Sequence, residues 1–244
     1  MMPDAVVGEV MLVLCSKPTH PAAAIDAAAT QANREFVIRV VLGEGPGCWG
    51  TRCITPLRMP ILKVARMGHP VLRARAKAVD PSDITSPRIQ DLIDSMFDTM
   101  QEYQGVGLAA PQVHESVRLF VAGFPPRRGA DGDEDEESRV PLMALINPEI
   151  TVVGTATADD WEGCLSIPDI RGKVPRAAEI DVRAYDRRGR KITVHAKGFT
   201  ARVIQHETDH LDGVLFFDRM KSFETLTFLD EYSRYWNSRD VPEE

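Results

Sequence analysis

Two histidines four positions apart stand near the C-terminal end of this chain, in the segment QHETDHLDG at positions 205–213. On an α-helix, His206 and His210 project from one face, because positions four apart differ by only about 40° around the axis. Two imidazoles arranged in this way can bind one divalent cation. Glu207 lies about 100° round the helix from His206, which suits a general base acting on water better than a third ligand. The alternative is a pair of partly exposed histidines on an amphipathic helix, because a bare HExxH pattern also occurs by chance.

A third ligand has to come from another part of the chain, and Cys164 in the segment WEGCLSIP is the candidate. The other three cysteines all lie within the first 58 residues. A single core cysteine is usually just a small hydrophobic residue. Cys164, however, stands in a glycine- and serine-containing segment that is less typical of a strand interior. A thiolate and two imidazoles would leave a fourth coordination position open, which is the arrangement of a catalytic site.

A third segment, GVGLAAPQ at positions 105–112, combines two glycines with a run of small residues. Gly105 and Gly107 allow a close approach of the backbone to a ligand, or a positive φ. Dinucleotide binding is disfavoured, because the segment follows a predicted helix and lacks the GxGxxG continuation. Gln112 closes the run, and its side-chain amide can donate a hydrogen bond to developing negative charge.

The elements around these segments predict an α+β fold. Apolar residues at helical spacing in the segment 87–104 predict an amphipathic helix whose stripe faces a core; these residues are Ile89, Leu92, Ile93, Met96, Phe97 and Met100. Strands are predicted at 117–124, 143–153, 179–186 and 191–197, with a hairpin turn in YDRRGRKI. Helices are predicted at about 199–212 and 222–236. We therefore expect antiparallel or mixed sheets packed around a central metal-binding helix, with a C-terminal helix.

Two further segments differ in composition from the rest. Residues 1–58 include a turn-rich stretch without periodicity and are predicted to be a poorly ordered or misannotated extension, with a genuine leader as the alternative. Met59 is then the expected start, and residues 59–244 the expected catalytic domain. The acidic run at 127–138 is predicted to be a solvated loop, since it lacks the ordered spacing of a calcium loop.

Composition restricts the partners and the location. The net charge of -7 disfavours nucleic acid as a general partner, and no apolar run approaches the ~18–20 residues that span a bilayer. Asp4 and Glu9 precede the one short apolar stretch near the N-terminus, where an export signal would carry positive charge. We therefore predict a cytoplasmic protein with neither nucleic acid nor membrane as a direct partner.

In their order and spacing, GVGLAAPQ, EGCLSIP and QHETDHLDG resemble the three signature motifs of the peptide deformylases, and the similarity extends from about Ile61 to the last helix. The resemblance implies an enzyme that removes the formyl group from the N-terminal formyl-methionine of nascent bacterial polypeptides. It also implies an α+β fold and one divalent metal ion, usually Fe(II). The same ligand set also suits Zn(II), Co(II) or Ni(II).

The resemblance also assigns roles to individual residues. The metal ligands are Cys164, His206 and His210, and Glu207 is the acid/base. The formyl oxygen is contacted by Gln112 and by the backbone N–H of Leu165. The residues expected along the substrate peptide and around its methionine side chain are Gly105, Val106, Gly107, Glu162, Phe199, Arg202 and Val203.

Several polar residues near these motifs are expected to play lesser parts. Arg202 departs from a branch of the family that has an aliphatic residue there, and its stem is expected to line the pocket mouth with the charge in water. Asp209 is expected behind the ligands or at the helix surface. Surface or loop positions are expected for His69, His114 and His195.

Two other functions compete with this interpretation. A zinc endopeptidase would use the same two histidines and glutamate, but the thiolate and the GVGLAAPQ loop disfavour it. A non-catalytic, ribosome-associated binding module would not need every catalytic position to be present. Transient proximity to the ribosome follows from a nascent-chain substrate. Attachment through the C-terminal tail is not expected, because YWNSRDVPEE is short and partly acidic.

Overall fold

A computed structural model describes residues 60–124, 127–128, 134–135 and 139–236, with only the backbone described at the two dipeptides. The expectations for residues 1–58, and for Met59 as the start, lie outside the described residues. No helix in the described part of the chain is long and apolar enough to cross a membrane.

The first long helix forms where the apolar stripe predicts it. Helix α1 spans Pro87–Glu102, with proline at its first position, where the missing N–H costs nothing. Six stripe residues were expected to face the core. Four of them are buried, namely Ile89, Ile93, Met96 and Met100, while Leu92 and Phe97 are partly buried and pack against the same cluster. The predicted helix and its buried face are confirmed.

Five antiparallel strands form the larger sheet, in the order β1-β2-β5-β8-β9. The strand ranges are β1 Gly107–Ala109, β2 Leu119–Phe124, β5 Val140–Val152, β8 Glu179–Tyr185 and β9 Lys191–Lys197. The four predicted strands correspond to β2, β5, β8 and β9. The predicted hairpin turn joins β8 to β9, where Gly189 has a φ of +75° and Asp186 accepts backbone hydrogen bonds from Arg188 and Arg190.

The acidic run between β2 and β5 is not without regular structure. Strand β3, Arg127–Arg128, pairs antiparallel with β4, Glu134–Asp135. The expectation of a loop throughout 127–138 is therefore wrong at these four residues. The segment consists mostly of charged residues with glycine, so it offers no apolar pattern from which a two-residue ladder could be predicted.

A second sheet, in the order β10-β7-β6, was not predicted from the sequence. Its main part is a hairpin of β6, Thr157–Cys164, and β7, Ile167–Ala177, joined through Leu165 and Ser166. Proline, glycine and charged residues interrupt the apolar alternation of both strands, which conceals them. Cys164 is consequently the last residue of a strand, at the point where the hairpin turns, and not part of an irregular loop.

Helix α2, Gly198–Leu211, lies in the centre and contacts strands of both sheets. It was predicted at about 199–212, and that prediction is confirmed. Ten of its residues are buried, including His206, Glu207 and His210. The alternative interpretation, a partly exposed pair of histidines on an amphipathic helix, is therefore wrong. Gly213 follows the helix with a φ of +74°, and a Cβ there would meet the carbonyl oxygen of Arg73 at 2.6 Å.

The C-terminal helix α3 is shorter than the sequence predicts. It spans Leu229–Tyr235 instead of 222–236. The preceding residues form β10, Thr227–Phe228, which pairs with Ile170 and Arg171 of β7. The backbone hydrogen-bonding groups there are used by the sheet, so the helix cannot begin earlier.

Replacing Ile93 by alanine should lower the free energy of unfolding by about 2–5 kcal/mol. The Ile93 side chain is fully buried where α1 packs on the larger sheet, so its loss leaves a cavity. Denaturant unfolding measures the effect. Asp91→Ala, at an exposed position of the same helix, is the control and should stay within about 0.5 kcal/mol of wild type. Equal losses in the two variants would contradict this packing.

Candidate metal centre

The three sequence motifs meet at one place in the fold. The side-chain Nε2 of Gln112 donates to Cys164 Sγ at 3.5 Å and to Ser166 Oγ at 3.2 Å. Its Oε1 accepts the backbone N–H of Ala109 at 2.8 Å, which fixes the direction of the amide. A Cβ on Gly105 would meet Leu165 Cδ1 at 2.8 Å, so the first motif packs directly on the hairpin turn.

Cys164, His206 and His210 are all buried, and their ligand atoms lie within 4.8 Å of one another. Cys164 Sγ is 3.2 Å from His210 Nε2, and the two imidazole centroids are 5.0 Å apart. The helix supplies two nitrogens from one face, and the end of β6 supplies the sulfur. A thiolate and two imidazoles are a donor set that fits a divalent transition metal with one position left for catalysis. This group could therefore hold a metal ion.

The electrostatics of the group favour the form of cysteine that binds metals. Burial opposes ionisation of Cys164, but the charges and hydrogen bonds of His210 and His206 outweigh it and hold the pKa of the thiol well below its usual value. Burial likewise disfavours a charged His206. Hydrogen bonds to Cys164 and Glu162 outweigh that effect and raise the pKa of His206 well above its usual value. A thiolate is the species of cysteine that coordinates metals.

Glu162 orients one of the imidazoles. Its Oε2 lies 2.8 Å from His206 Nδ1, which leaves the other ring nitrogen of His206 to face the ligand group. Arg176 donates to both carboxylate oxygens, at 2.8 and 3.0 Å, and Arg202 donates to Oε1 at 2.8 Å. Burial opposes ionisation of Glu162, but the hydrogen bonds and charges of Arg176 and His206 outweigh it and hold the pKa of the carboxyl well below its usual value. The Glu162 carboxylate is thus occupied by His206 and two arginines, and its expected place beside the substrate stays a prediction.

Asp209 forms a further set of ion pairs next to those of Glu162. Its Oδ2 accepts from Arg176 Nη1 at 2.5 Å, and its Oδ1 accepts from Arg219 Nη2 at 2.7 Å. Asp209 is buried, so of its two expected locations the helix surface is wrong. Arg176 and Arg219 were missed from the sequence. Neither belongs to one of the three motifs, and no local pattern marks an arginine as the partner of a buried carboxylate.

The charge of Arg202 was expected to lie in water, and this expectation is wrong. Only 5% of the residue is exposed, and its guanidinium contacts Glu162 and backbone carbonyls of the hairpin. The reason is that α2 is covered on the Arg202 side by β6 and β7, two strands that the sequence did not reveal. In contrast, His69, His114 and His195 are exposed as expected.

Glu207 stands in an environment opposite to that of Glu162. A Cβ on Gly107 would overlap Glu207 Oε1 and lie 2.7 Å from its Cδ, so the carboxylate rests on the backbone of the first motif. Its Oε2 is buried and has no hydrogen-bond partner within the described part of the chain. Burial, with the negative charges of Cys164 and Glu162, outweighs the attraction of the histidines and raises the pKa of Glu207 to about 7. The absence of a side chain at Gly107 therefore leaves space for Glu207. Gly107 does not adopt the positive φ that the sequence also allowed.

Three of the remaining expected site residues belong to one apolar region. Val203 is a buried member of a core cluster, and Val106 and Phe199 pack against that cluster. Leu165 is the first residue of the two-residue turn between Cys164 and Ile167. The residues flanking such a turn make the ladder hydrogen bonds, so the backbone N–H of Leu165 stands outside the ladder.

Comparison with known proteins agrees with this geometry. A family model for polypeptide deformylases matches residues 61–225. The chain belongs to the polypeptide deformylase family. It is 43% identical over 175 residues to peptide deformylase 1 of Prochlorococcus marinus (strain MIT 9313), covering 71% of this chain and 88% of that protein. It is 38% identical over 182 residues to the chloroplastic/mitochondrial peptide deformylase 1A of Arabidopsis thaliana, covering 71% and 67%.

Solved deformylase structures share the fold. The Met-Ala-Ser-bound class I type b peptide deformylase from Acinetobacter baumannii has a TM-score of 0.59 and 37% identity, covering 66% of this chain and 99% of that chain. The Thermotoga maritima peptide deformylase has a TM-score of 0.57 and 38% identity, covering 67% and 99%. The expected α+β deformylase fold is confirmed.

Glu162→Ala should lower both metal affinity and stability, because it leaves two arginines buried without their carboxylate. We expect a 10–100-fold loss of Co(II) affinity by competition titration and a loss of about 3–5 kcal/mol in unfolding free energy. Glu149→Ala is the control, since its ion pair with Arg183 is 70% and 73% exposed, and it should cost less than about 1 kcal/mol. A Glu162 variant as mild as this control would contradict the assigned orientation of His206.

Proposed function

We propose that this protein hydrolyses the formamide at the N-terminus of newly synthesised formyl-methionyl polypeptides, releasing formate and a free α-amine. Membership of the deformylase family supports the reaction type. The observation that carries the proposal is the unpaired, buried carboxylate of Glu207, which lies on Gly107 beside the ligand group of Cys164, His206 and His210. The proposed catalytic domain is residues 59–244, and the family match lies within it.

Cys164, His206 and His210 would hold the ion, and the metal proposed is Fe(II), with Zn(II), Co(II) and Ni(II) suited to the same ligands. When bound, such an ion supplies Lewis acidity and lowers the pKa of water from 15.7 to about 7. Glu207 is placed to accept a proton from the attacking water. Its position next to two of the ligands on α2, with one oxygen unpaired, supports that role.

Glu207 is proposed to take one proton from water and to give one proton to the amine, and these two transfers yield formate and the free amine. Water oxygen forms a bond to the formyl carbon while Glu207 takes the proton. The C–N bond then breaks, and Glu207 returns a proton to the departing amine. Negative charge grows on the formyl oxygen in between, and Gln112 Nε2 and the backbone N–H of Leu165 are the proposed donors to it. One such donor is typically worth about 3–4 kcal/mol of transition-state stabilisation.

The methionine side chain is proposed to lie against the apolar group of Val106, Phe199 and Val203. Gly105 and Gly107 would leave space for the substrate backbone. The peptide bound to the Acinetobacter baumannii deformylase begins with methionine, which supports a methionyl peptide as the substrate here. Glu162 and Arg202 would stand behind this pocket, because their charged groups bind each other. The proposed location is the cytoplasm, transiently close to the ribosome, where nascent chains emerge.

The decisive experiment is anaerobic purification followed by metal analysis and two assays on the same sample. We expect release of formate from formyl-Met-Ala-Ser and no cleavage of casein. Casein cleavage without formate release would instead indicate an endopeptidase. A metal-free protein without either activity would indicate a non-catalytic binding module.

Glu207→Gln should retain the metal and lose most deformylation. The amide keeps the size of the side chain but cannot accept and return a proton, so we expect kcat to fall by about 10²–10⁴-fold. Metal content and formate release are measured on one preparation. Glu149→Gln, at an exposed position, is the matched control. Turnover of Glu207→Gln at the wild-type rate would refute the acid/base role.

Cys164→Ser should weaken metal binding, since a hydroxyl is a harder and far less acidic ligand than a thiol. Competition titration with Zn(II) or Co(II) measures the affinity. Cys48→Ser, in the part of the chain outside the described residues, is the control and should bind as wild type does. An unchanged affinity of Cys164→Ser would remove this residue from the ligand set.

A further inference from the structure

Arg202 lies on the same face of α2 as the two histidines. It precedes His206 by four positions, as His206 precedes His210, so the three side chains lie within about 80° of one another around the helix. This face is turned towards the hairpin of β6 and β7. An arginine that is 5% exposed in the centre of a fold requires several partners, because an unpaired buried charge is costly.

The guanidinium has such partners in both strands of the hairpin. Nη2 donates to the carbonyl of Ala158 in β6 at 2.6 Å. Nη1 donates to the carbonyl of Val174 in β7 at 2.7 Å and to Glu162 Oε1 at 2.8 Å. One planar group thus joins the ligand helix to each strand, and also to the carboxylate that orients His206. The forked donors of arginine allow this, whereas a lysine ammonium cannot span these acceptors.

The relative position of helix and hairpin decides whether the ligand group exists. The spacing of His206 and His210 is set within the helix, but Cys164 belongs to the hairpin. A displacement of β6 along or away from α2 would separate the sulfur from both nitrogens without changing either element internally. Contacts that hold the hairpin on α2 therefore act on the metal centre itself.

We propose that Arg202 is a positioning residue for the metal centre and not a substrate-binding residue. It sets the distance between α2 and the hairpin through the carbonyls of Ala158 and Val174, and it holds Glu162 on His206. This inference rests on the proposed metal centre. It also changes the expected basis of substrate preference, because the charge of Arg202 is then not available to a bound peptide.

Arg202→Met tests the proposal, because it keeps the length and apolar stem but removes every donor. We expect Co(II) affinity to fall about 10–100-fold and the thiolate-to-cobalt absorption band to shift or weaken. KM for the formyl peptide should change less than kcat. Hydrogen exchange of the metal-free protein should be faster at the β6 amides than in wild type.

Gln205→Ala is the matched control on the same helix. Gln205 also joins α2 to the hairpin, through the backbone N–H and carbonyl of Ala177, which lies one register position from Ala158, but within the described part of the chain it makes no hydrogen bond to Glu162. It should lower stability and leave the cobalt spectrum unchanged. If Gln205→Ala shifts the spectrum as Arg202→Met does, general helix–hairpin packing and not Arg202 positions the ligands, and the proposal fails.

Arg202→Lys provides a milder variant should the methionine variant not fold. It retains the charge but not the fork, so a smaller shift in the same direction is expected. Wild-type cobalt affinity and spectrum in the folded Arg202 variants would overturn the positioning role alone. A wild-type protein that binds no cobalt would instead contradict the metal centre of the proposed function, and with it this inference.

Discussion

The carboxylate of Glu162 is the point at which the two halves of the site are joined. It accepts hydrogen bonds from Arg176, Arg202 and His206 in a buried environment. Because each buried charge requires a partner, these groups must come together as the protein folds, or none of them can be buried. The hairpin supplies Glu162 and Arg176, and the helix supplies Arg202 and His206. Pairing these charges therefore also brings Cys164 to the histidines.

Helix α2 shows how a polar site can lie within a stable core. Two apolar clusters bury side chains on either face of the larger sheet. One packs α2 against this sheet, and the other packs α1 against it. The polar face of α2 is turned towards the smaller sheet, where charges pair with charges. Apolar burial thus stabilises the fold, while the ion pairs determine how the second sheet sits on the helix. The apolar face of α2 thus contributes to stability, and its polar face positions the smaller sheet.

The sequence predicted what depends on neighbours along the chain. The stripe of α1, the short apolar run of β2, the alternation in β8 and β9, and the four-residue spacing of the histidines are local patterns, and each is present in the structure. The hairpin that carries Cys164 was missed, because Gly163, Pro168 and Pro175 interrupt it and because its buried charges resemble exposed positions. The contact of Glu162 with Arg202 joins residues 40 positions apart, and no periodicity reports such a pair. The early end of α3 likewise depends on pairing of β10 with β7, which is a tertiary contact.

Glu162 and Glu207 are two carboxylates of one site, and their different surroundings suit them to different roles. Both are buried, so burial alone would raise the pKa of each. Glu162 is bound by two arginines and an imidazole, and Arg176 and His206 hold its pKa well below the usual value. Glu207 has one oxygen without a partner, and its pKa is raised to about 7. A carboxylate with every lone pair engaged can only hold its neighbours in place, whereas one with an unused oxygen can accept a proton and give it back. The difference arises from what surrounds each group: arginines from β7 and α2 around Glu162, and only the bare backbone of Gly107 beneath Glu207.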